Sequence, residues 1–280
     1  MPELPEVETV CQGLNQQTRG QRIGGGQVLL ERTLAHPPSI EAFWAGVTAT
    51  TLAGWQRRGK YLLASLRAEG FAGWLGVHLR MSGQLLWLSR QEPLQPHARL
   101  RLFVGRDREL RFVDMRTFGQ VWWVPPDSQP ETVMTGLQKL GPDPLSSEFS
   151  PAYLAQQLQR RRCPIKNALL NQSIAAGLGN IYADEALFAS GLHPQRAAYT
   201  LSDSEIERLH AAIGAVLQAG IERGGSSFGS FLNVLGVNGN YTALAWVYGR
   251  EGDRCRTCAG AIHRIKLTGR SAHFCPTCQR

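Results

Sequence analysis

The feature that most constrains this chain is a pair of Cys-x-x-Cys knuckles near its C-terminus, Cys255–Cys258 and Cys275–Cys278, with residues 259–274 between them. Each knuckle turns two thiolates toward one point, and four thiolates close a tetrahedral Zn²⁺ site with no open coordination position. A zinc ion held this way is structural. The remaining two of the six cysteines, Cys11 and Cys163, lie far from the cluster. The usage fits a metal site in a reducing compartment rather than a disulfide framework.

Between the knuckles, Ile262 to Phe274 reads as a hairpin with Gly269-Arg270 near its tip. The segment around it carries Arg250, Arg254, Arg256, Arg264, Lys266, Arg270 and Arg280 against Glu251 and Asp253. A basic tip on a metal-stapled ribbon suits insertion at DNA, and a solvated charged face is the alternative. The whole chain of 280 residues has a formal charge of +8. That balance favours a polyanionic partner such as nucleic acid, acidic lipid or a ribosomal surface. Apolar residues make up 43%, enough for an ordinary buried core. No apolar run approaches a membrane span, and the N-terminus lacks the layout of a signal peptide. The expectation is a cytoplasmic protein without a membrane partner.

Along the chain, Pro5 to Thr18 reads as a helix, with Val7, Val10, Cys11 and Leu14 as its apolar stripe and Gly20 as its stop. From Leu52 to Val124 the pattern changes to short β-rich runs: Tyr61 to Leu66, Gln84 to Leu88, Leu100 to Val104, Glu109 to Val113 and Gln120 to Val124. With turns such as Gly105-Arg106-Asp107, this spacing predicts a β-sandwich or flattened barrel. Pro125 to Ser150 has the composition of a linker. Beyond it the pattern is helical. Ser150-Pro151 starts one helix, and Pro164 starts another running through Leu169 and Ile174. Asn180 opens a third after a Gly-Leu-Gly turn. Ser202-x-x-Glu205 forms a capping box ahead of Ile206, Leu209, Ile213, Val216 and Leu217, and Gly224-Gly225 ends that helix.

The chain opens Met1-Pro2-Glu3-Leu4-Pro5-Glu6. A small residue at position 2 permits removal of Met1, which exposes the proline nitrogen. An α-amine titrates near pH 8, so a useful fraction is an unprotonated nucleophile at neutral pH. As a secondary amine, proline attacking a sugar C1′ gives a cationic iminium directly, an electron sink for base loss and phosphate elimination. Glu3 beside it is an acid able to move the protons of that sequence. Taken alone, Pro and Glu at an N-terminus simply start a helix.

Several motifs together resemble one family. The opening Met1 to Thr9, Arg58-Gly-Lys60-Tyr61, His78-Leu-Arg-Met-Ser-Gly83, Asp114-Met-Arg-Thr-Phe-Gly119, Leu140-Gly-Pro-Asp-Pro144, Gly177-Leu-Gly-Asn-Ile-Tyr-Ala183 and the cysteine module are similar to formamidopyrimidine-DNA glycosylases. They span the chain from end to end. The resemblance implies an α+β architecture: an N-terminal β-sandwich with an N-terminal helix, a helix-two-turn-helix domain and a C-terminal zinc-finger β-hairpin. The implied partition is a catalytic domain over 1–130, a linker over 131–150, the helical DNA-binding domain over 151–238 and the zinc finger over 239–280.

The implied activity is excision of 8-oxoguanine and formamidopyrimidines from duplex DNA, followed by β,δ-elimination at the abasic site. By motif, Pro2 is the nucleophile, Glu3 the acid, Lys60 a catalytic or phosphate-binding lysine, and Arg270 the hairpin arginine holding phosphates that flank the lesion. Met81, Arg116 and Phe118 match residues that fill the hole left by a flipped base; taken singly, Met81 and Phe118 read as core packing, and the matched motifs reverse that preference. Such a wedge is needed because the target atom is unreachable in a stacked duplex. His78, Lys166, Asn180 and Tyr241 match positions near the DNA backbone or lesion. For Lys166 an exposed basic face following Arg160-Arg161-Arg162 is the competing reading. Gly224-Gly225-Ser226-Ser227 falls where the family carries a loop that closes over the flipped base; Glu6 has two readings of equal weight, a contact to the lesion and an acid in the first turn of its helix. The cofactor implied is one structural Zn²⁺, the partner duplex DNA containing oxidised bases, and the form a monomer associated with the bacterial nucleoid.

Three other readings stay open. An endonuclease VIII-type enzyme for oxidised pyrimidines shares this architecture, although that relative opens with glycine where this chain has Leu4. A non-catalytic zinc-ribbon protein explains the charge and the cysteines but leaves the N-terminal motif idle. A metabolic enzyme with a structural zinc lacks any Gly-rich phosphate loop here.

Overall fold

Helix α1 (Leu4–Thr18) starts where two glutamates meet. Glu3 occupies the N-cap, and its amide donates to Glu6 Oε2 at 2.8 Å, one arm of a capping box. Leu4, Val7, Val10, Cys11 and Leu14 then fall on the buried side. The computed structural model containing this helix describes residues 1–226 and 231–280. It divides into two units, Met1–Lys139 with Gly224–Asn240, and Leu140–Arg223 with Tyr241–Arg280.

The first unit is built from two sheets. Strands β1 (Ile23–Val28), β6 (Gly83–Ser89), β7 (Ala98–Val104) and β8 (Arg108–Asp114) form a four-stranded sheet in the order β1-β7-β8-β6. Strands β2 (Leu34–His36), β3 (Thr51–Arg58), β4 (Tyr61–Arg67), β5 (Phe71–His78) and β9 (Gln120–Val124) form a five-stranded sheet in the order β2-β9-β5-β4-β3. Leu62, Ala64, Leu75 and Val77 from one sheet and Leu85, Leu100, Leu102, Leu110 and Phe112 from the other share one core with Val7, Val10 and Leu14 of α1. This is the sandwich that the alternating runs predict. The sheet face turned away from this core carries an ion pair that the pattern does not predict. Glu109 and Arg111 are fully buried at 2.6 Å, and Arg111 also donates to the carbonyls of Glu92 and Pro93, pinning the β6–β7 loop.

Two elements here were unexpected. Strand β1 reads Ile-Gly-Gly-Gly-Gln-Val, a composition normally found in loops. Gly26 explains it, because a Cβ there would lie 2.0 Å from the Arg101 carbonyl oxygen and 2.5 Å from the Trp44 ring. Helix α2 (Ile40–Val47) is capped by Ser39, whose hydroxyl accepts from the Ala42 amide at 3.2 Å. After β9, a single turn α3 (Pro130–Val133) and a 3₁₀ turn at Leu137–Lys139 bury Met134 and Leu137.

The second unit is mainly helical. It contains α4 (Pro151–Leu158), α5 (Ile165–Leu169), α6 (Asn180–Ala189), α7 (Asp203–Glu222) and the hairpin β10 (His263–Leu267) with β11 (Arg270–Phe274). Ser150 caps α4 and the Ser202–Glu205 capping box starts α7, both as the sequence predicts. Helix α5 is shorter than expected and does not reach Ile174. The Asn171 side chain accepts from the amide and hydroxyl of Ser173, diverting the backbone into turns. No helix among the described residues is long and apolar enough to cross a membrane.

Candidate active site and nucleic-acid interface

In the first unit, Pro2 and Glu3 are both buried at the start of α1. The Glu6 carboxylate fixes where they sit. It is only 1% exposed, its Oε2 takes the Glu3 amide, and its Oε1 takes the Ser226 amide at 2.7 Å. One carboxylate thus joins the N-terminus to the segment after α7. Ser226 is the last described residue of the glycine-rich stretch identified as a closing loop, and Ser227 lies outside the described residues. A cavity of about 210 Å³ opens at this corner, lined among others by Met1, Pro2, Glu6, Met81, Arg116 and Ser226.

Met81 and the pair Arg116 and Phe118 arrive on two turns of the four-stranded sheet's neighbourhood. Residues 79–82 join β5 to β6, and residues 115–119 join β8 to β9. The Arg116 guanidinium lies over the Phe118 ring at 5.0 Å, and Phe118 is 53% exposed. Met81 is half-buried. A second depression of about 510 Å³ runs past Arg32, Arg80, Met81 and Phe118. An exposed aromatic, a cation and a thioether at adjoining cavities suit an apolar base step better than a core.

Lys60 and His78 meet across β4 and β5. Gly59, at φ +57°, turns the chain so that Lys60 precedes β4, and Tyr61 pairs with His78 in register. Both Lys60 and His78 are buried. Burial, reinforced by the Arg80 and Lys60 charges, pushes His78 down to about 3, so its imidazole is neutral at physiological pH. The Tyr61 ring stands edge-on to it at 4.5 Å. His78 Nδ1 accepts the Arg80 amide at 2.9 Å, which leaves the ring proton on Nε2 as a neutral donor.

In the second unit, Asn180 opens α6 and its Nδ2 donates to Ser271 Oγ at 3.3 Å, while its Oδ1 is buried with no hydrogen-bond partner. Arg270 is exposed beside the hairpin turn, where Thr268 and Gly269 both adopt left-handed backbone. Lys166 is not on an exposed basic face. It is fully buried, 2.5 Å from Asp184 Oδ1, and it donates to the Ser271 carbonyl. Asp184 Oδ2 accepts the His273 amide at 2.9 Å. The next residue, Glu185, accepts the amides of Trp246, Val247 and Tyr248, and burial pushes its carboxyl up against those donors. Tyr241 is buried with its ring 5.0 Å from that of Tyr182. Asp184 and Glu185 are not among the site residues that the motifs imply. Two successive acids in an otherwise apolar helix were the available signal.

The four cysteines fit one metal ion. Their sulfurs all lie within 4.8 Å of one another, with Cys255 to Cys278 at 3.9 Å and Cys258 to Cys275 at 3.4 Å. Zn–S bonds of about 2.3 Å in a tetrahedron put sulfurs about 3.8 Å apart, whereas a disulfide needs about 2.05 Å. The Thr257 amide points at Cys255 Sγ at 3.4 Å, as in a zinc knuckle.

Comparisons with known proteins agree with this geometry. Residues 1–121 match the formamidopyrimidine-DNA glycosylase N-terminal domain, 140–231 its H2TH domain, and 252–280 a zinc finger found in that family and in isoleucyl-tRNA synthetase. A formamidopyrimidine-DNA glycosylase of Nostoc punctiforme is 59% identical, with 100% of this chain and 96% of the relative covered. One from Rippkaea orientalis is 57% identical, with both chains covered completely. Among solved structures, the Lactococcus lactis enzyme bound to DNA containing an abasic site superposes with a TM-score of 0.89 at 34% identity, covering 99% of each chain. A variant of that enzyme bound to DNA containing Fapy-dG gives 0.90 at 34%, covering both chains completely.

Proposed function

This chain belongs to the formamidopyrimidine-DNA glycosylase family, and from that premise we propose that it excises 8-oxoguanine and formamidopyrimidines from duplex DNA and cleaves the strand through a Pro2 adduct. The observation that carries this reading is the cavity lined by Pro2, with Glu3 buried beside it and Glu6 fixing both.

Once Met1 is removed, the Pro2 nitrogen lone pair attacks C1′ of the damaged nucleotide, and the C1′–N bond breaks as the base leaves. Glu3 protonates O4′ as the sugar opens, giving an iminium between Pro2 and C1′. Loss of a C2′ proton expels the 3′ phosphate, and a second elimination expels the 5′ phosphate. Water then hydrolyses the adduct and restores the amine.

Lys60 and the neutral Nε2–H of His78 are suited to the phosphates beside the lesion. Arg270 and Asn180 are suited to the flanking backbone. Turning the Asn180 amide over lets the Ser271 hydroxyl donate to Oδ1 and frees Nδ2 as a phosphate donor. Lys166 acts on DNA indirectly, by holding the hairpin through Asp184 and Ser271, and Tyr241 borders the same surface. Met81, Arg116 and Phe118 fill the opened base step. Bound Zn²⁺, held by Cys255, Cys258, Cys275 and Cys278, supplies shape to the hairpin and no chemistry to the reaction. The functional partition follows the boundaries at 130, 150 and 238, and the protein acts as a monomer on chromosomal DNA.

Borohydride trapping on a duplex with 8-oxoguanine opposite cytosine tests this reading. A reduced adduct located on Pro2 by mass spectrometry is the expected result. An adduct formed only on a duplex carrying an oxidised pyrimidine would move the assignment to endonuclease VIII-type chemistry. Tight binding without an adduct on either duplex would leave a non-catalytic DNA-binding protein.

A further inference from the structure

The two turns assigned to the opened base step converge on one buried carboxylate. Asp114, the last residue of β8, is 1% exposed. Its Oδ1 accepts the Ser82 hydroxyl at 2.5 Å and the Arg116 amide at 3.2 Å, and its Oδ2 accepts the Gly119 amide at 2.7 Å. Ser82 Oγ takes the Arg116 amide as well, at 3.1 Å. One charge therefore holds the Met81 turn by its serine and the Arg116–Phe118 turn by an amide at each end.

Both turns need such a clamp. Arg80 (φ +53°) and Thr117 (φ +57°) sit in left-handed backbone that L side chains disfavour, so neither turn holds its shape by local preference. The approach of Gly119 is also tight. A Cβ there would lie 2.3 Å from the Phe112 ring and 3.0 Å from Asp114 Oδ2, so only glycine brings that amide to the carboxylate.

We propose that Asp114, acting through Ser82, is a positioning residue that couples the two turns, so that Met81, Arg116 and Phe118 enter the duplex as one body. The proposal rests on the reading of those three side chains as the residues that fill the opened step. Two turns that moved separately would each lose conformational freedom on entering the DNA. Clasped together, they have lost it during folding, and the buried charge-assisted hydrogen bonds keep the geometry. The clasp matters where a base must be driven out of the stack and matters little at a site where no base is left to expel.

The test compares Asp114→Asn and Ser82→Ala with the unaltered protein on two duplexes, one with 8-oxoguanine opposite cytosine and one with a preformed abasic site. A 2-aminopurine beside the lesion reports opening of the step by stopped-flow fluorescence, independently of chemistry. The expected result for Asp114→Asn is a step-opening and excision rate lowered about 10- to 100-fold, with cleavage at the abasic site within about threefold. Ser82→Ala, which keeps the buried carboxylate and its bonds to the Arg116 and Gly119 amides, is expected to give about a tenfold loss with the same selectivity. Combining Met81→Ala with Phe118→Ala is expected to be non-additive in the unaltered background and additive with Ser82→Ala. Unaltered step opening in Ser82→Ala overturns the proposal, and so does an equal loss on both duplexes. The two readings fail separately. Absence of a Pro2 adduct in the unaltered protein defeats the catalytic assignment, whereas the fluorescence signal reads the clasp whether or not bond cleavage follows.

Discussion

Pro2 and Arg270 are held in place by opposite means. Pro2 lies just before a helix whose apolar side is buried in a core drawn from a four-stranded and a five-stranded sheet. Arg270 stands on a two-stranded ribbon whose own buried cluster is Val247, Cys255, Ile262 and Cys275, with Phe188 and Cys278 beside it. A lone hairpin is marginal in water, so the ribbon depends on a few strong bonds: four thiolates to zinc, Asp184 on the His273 amide, and Glu185 on the amides of residues 246–248 that carry Val247 into its cluster. Placement by area tolerates the loss of a contact. Placement by a few bonds fails as a unit.

The sharpest test of this contrast separates chemistry from grip. Pro2→Gly is expected to lower single-turnover strand cleavage by at least about a thousandfold while the DNA dissociation constant stays within about threefold. A comparable loss of binding would mean that the two ends are not independent. Zinc removal is the reciprocal test. Chelation, or Cys258→Ser, is expected to weaken DNA binding by about 100-fold or more, with the β-sheet signal in far-UV circular dichroism retained. Collapse of that signal would show that the sandwich leans on the metal.

Asp184→Asn sharpens the picture further. It leaves the Lys166 ammonium buried without its charge partner, and breaking such a pair costs about 3–5 kcal/mol. DNA affinity is expected to fall while the sandwich keeps its unfolding midpoint, read by hydrogen exchange over β4 and β8. The smallest effect concerns His78. Its folded value of about 3 lies below the ordinary value of 6.5. The unfolded chain therefore takes a proton below pH 6.5 that the folded protein refuses. Stability present above pH 6.5 is lost as pH falls toward 3, by about 1.4 kcal/mol at pH 5.5. Urea unfolding of His78→Gln is expected to lack that acid limb.

What was legible in the sequence was local. The stripe of α1, the capping box at Ser202, the turn at Gly105-Arg106-Asp107 and the Cys-x-x-Cys spacing each declare themselves within a few residues, because each is written in residue types at short fixed spacing. The motifs likewise marked Pro2, Met81 and Phe118, which border the two cavities. What stayed hidden was reciprocal and distant. Strand β1 exists because Gly26 accepts the close approach of Arg101, a residue far along the chain. Asp114, Asp184 and Glu185 each bind backbone amides, and an amide leaves no trace in residue type. The burial of Lys166 follows from Asp184, so composition around Arg160-Arg161-Arg162 pointed the wrong way.

The spacing of the four sulfurs also sets a lifetime. As zinc ligands the thiolates are tied up. Without the ion, Cys255 faces Cys278 and Cys258 faces Cys275 at distances that a small movement closes into disulfides. A hairpin locked that way cannot be refilled with metal until it is reduced. Oxidation of the freed thiols is therefore expected to end the DNA grip as well. Pre-treatment with peroxide is expected to release zinc and DNA together, and dithiothreitol with added zinc to restore both. Retention of DNA affinity after the zinc has gone would break that link.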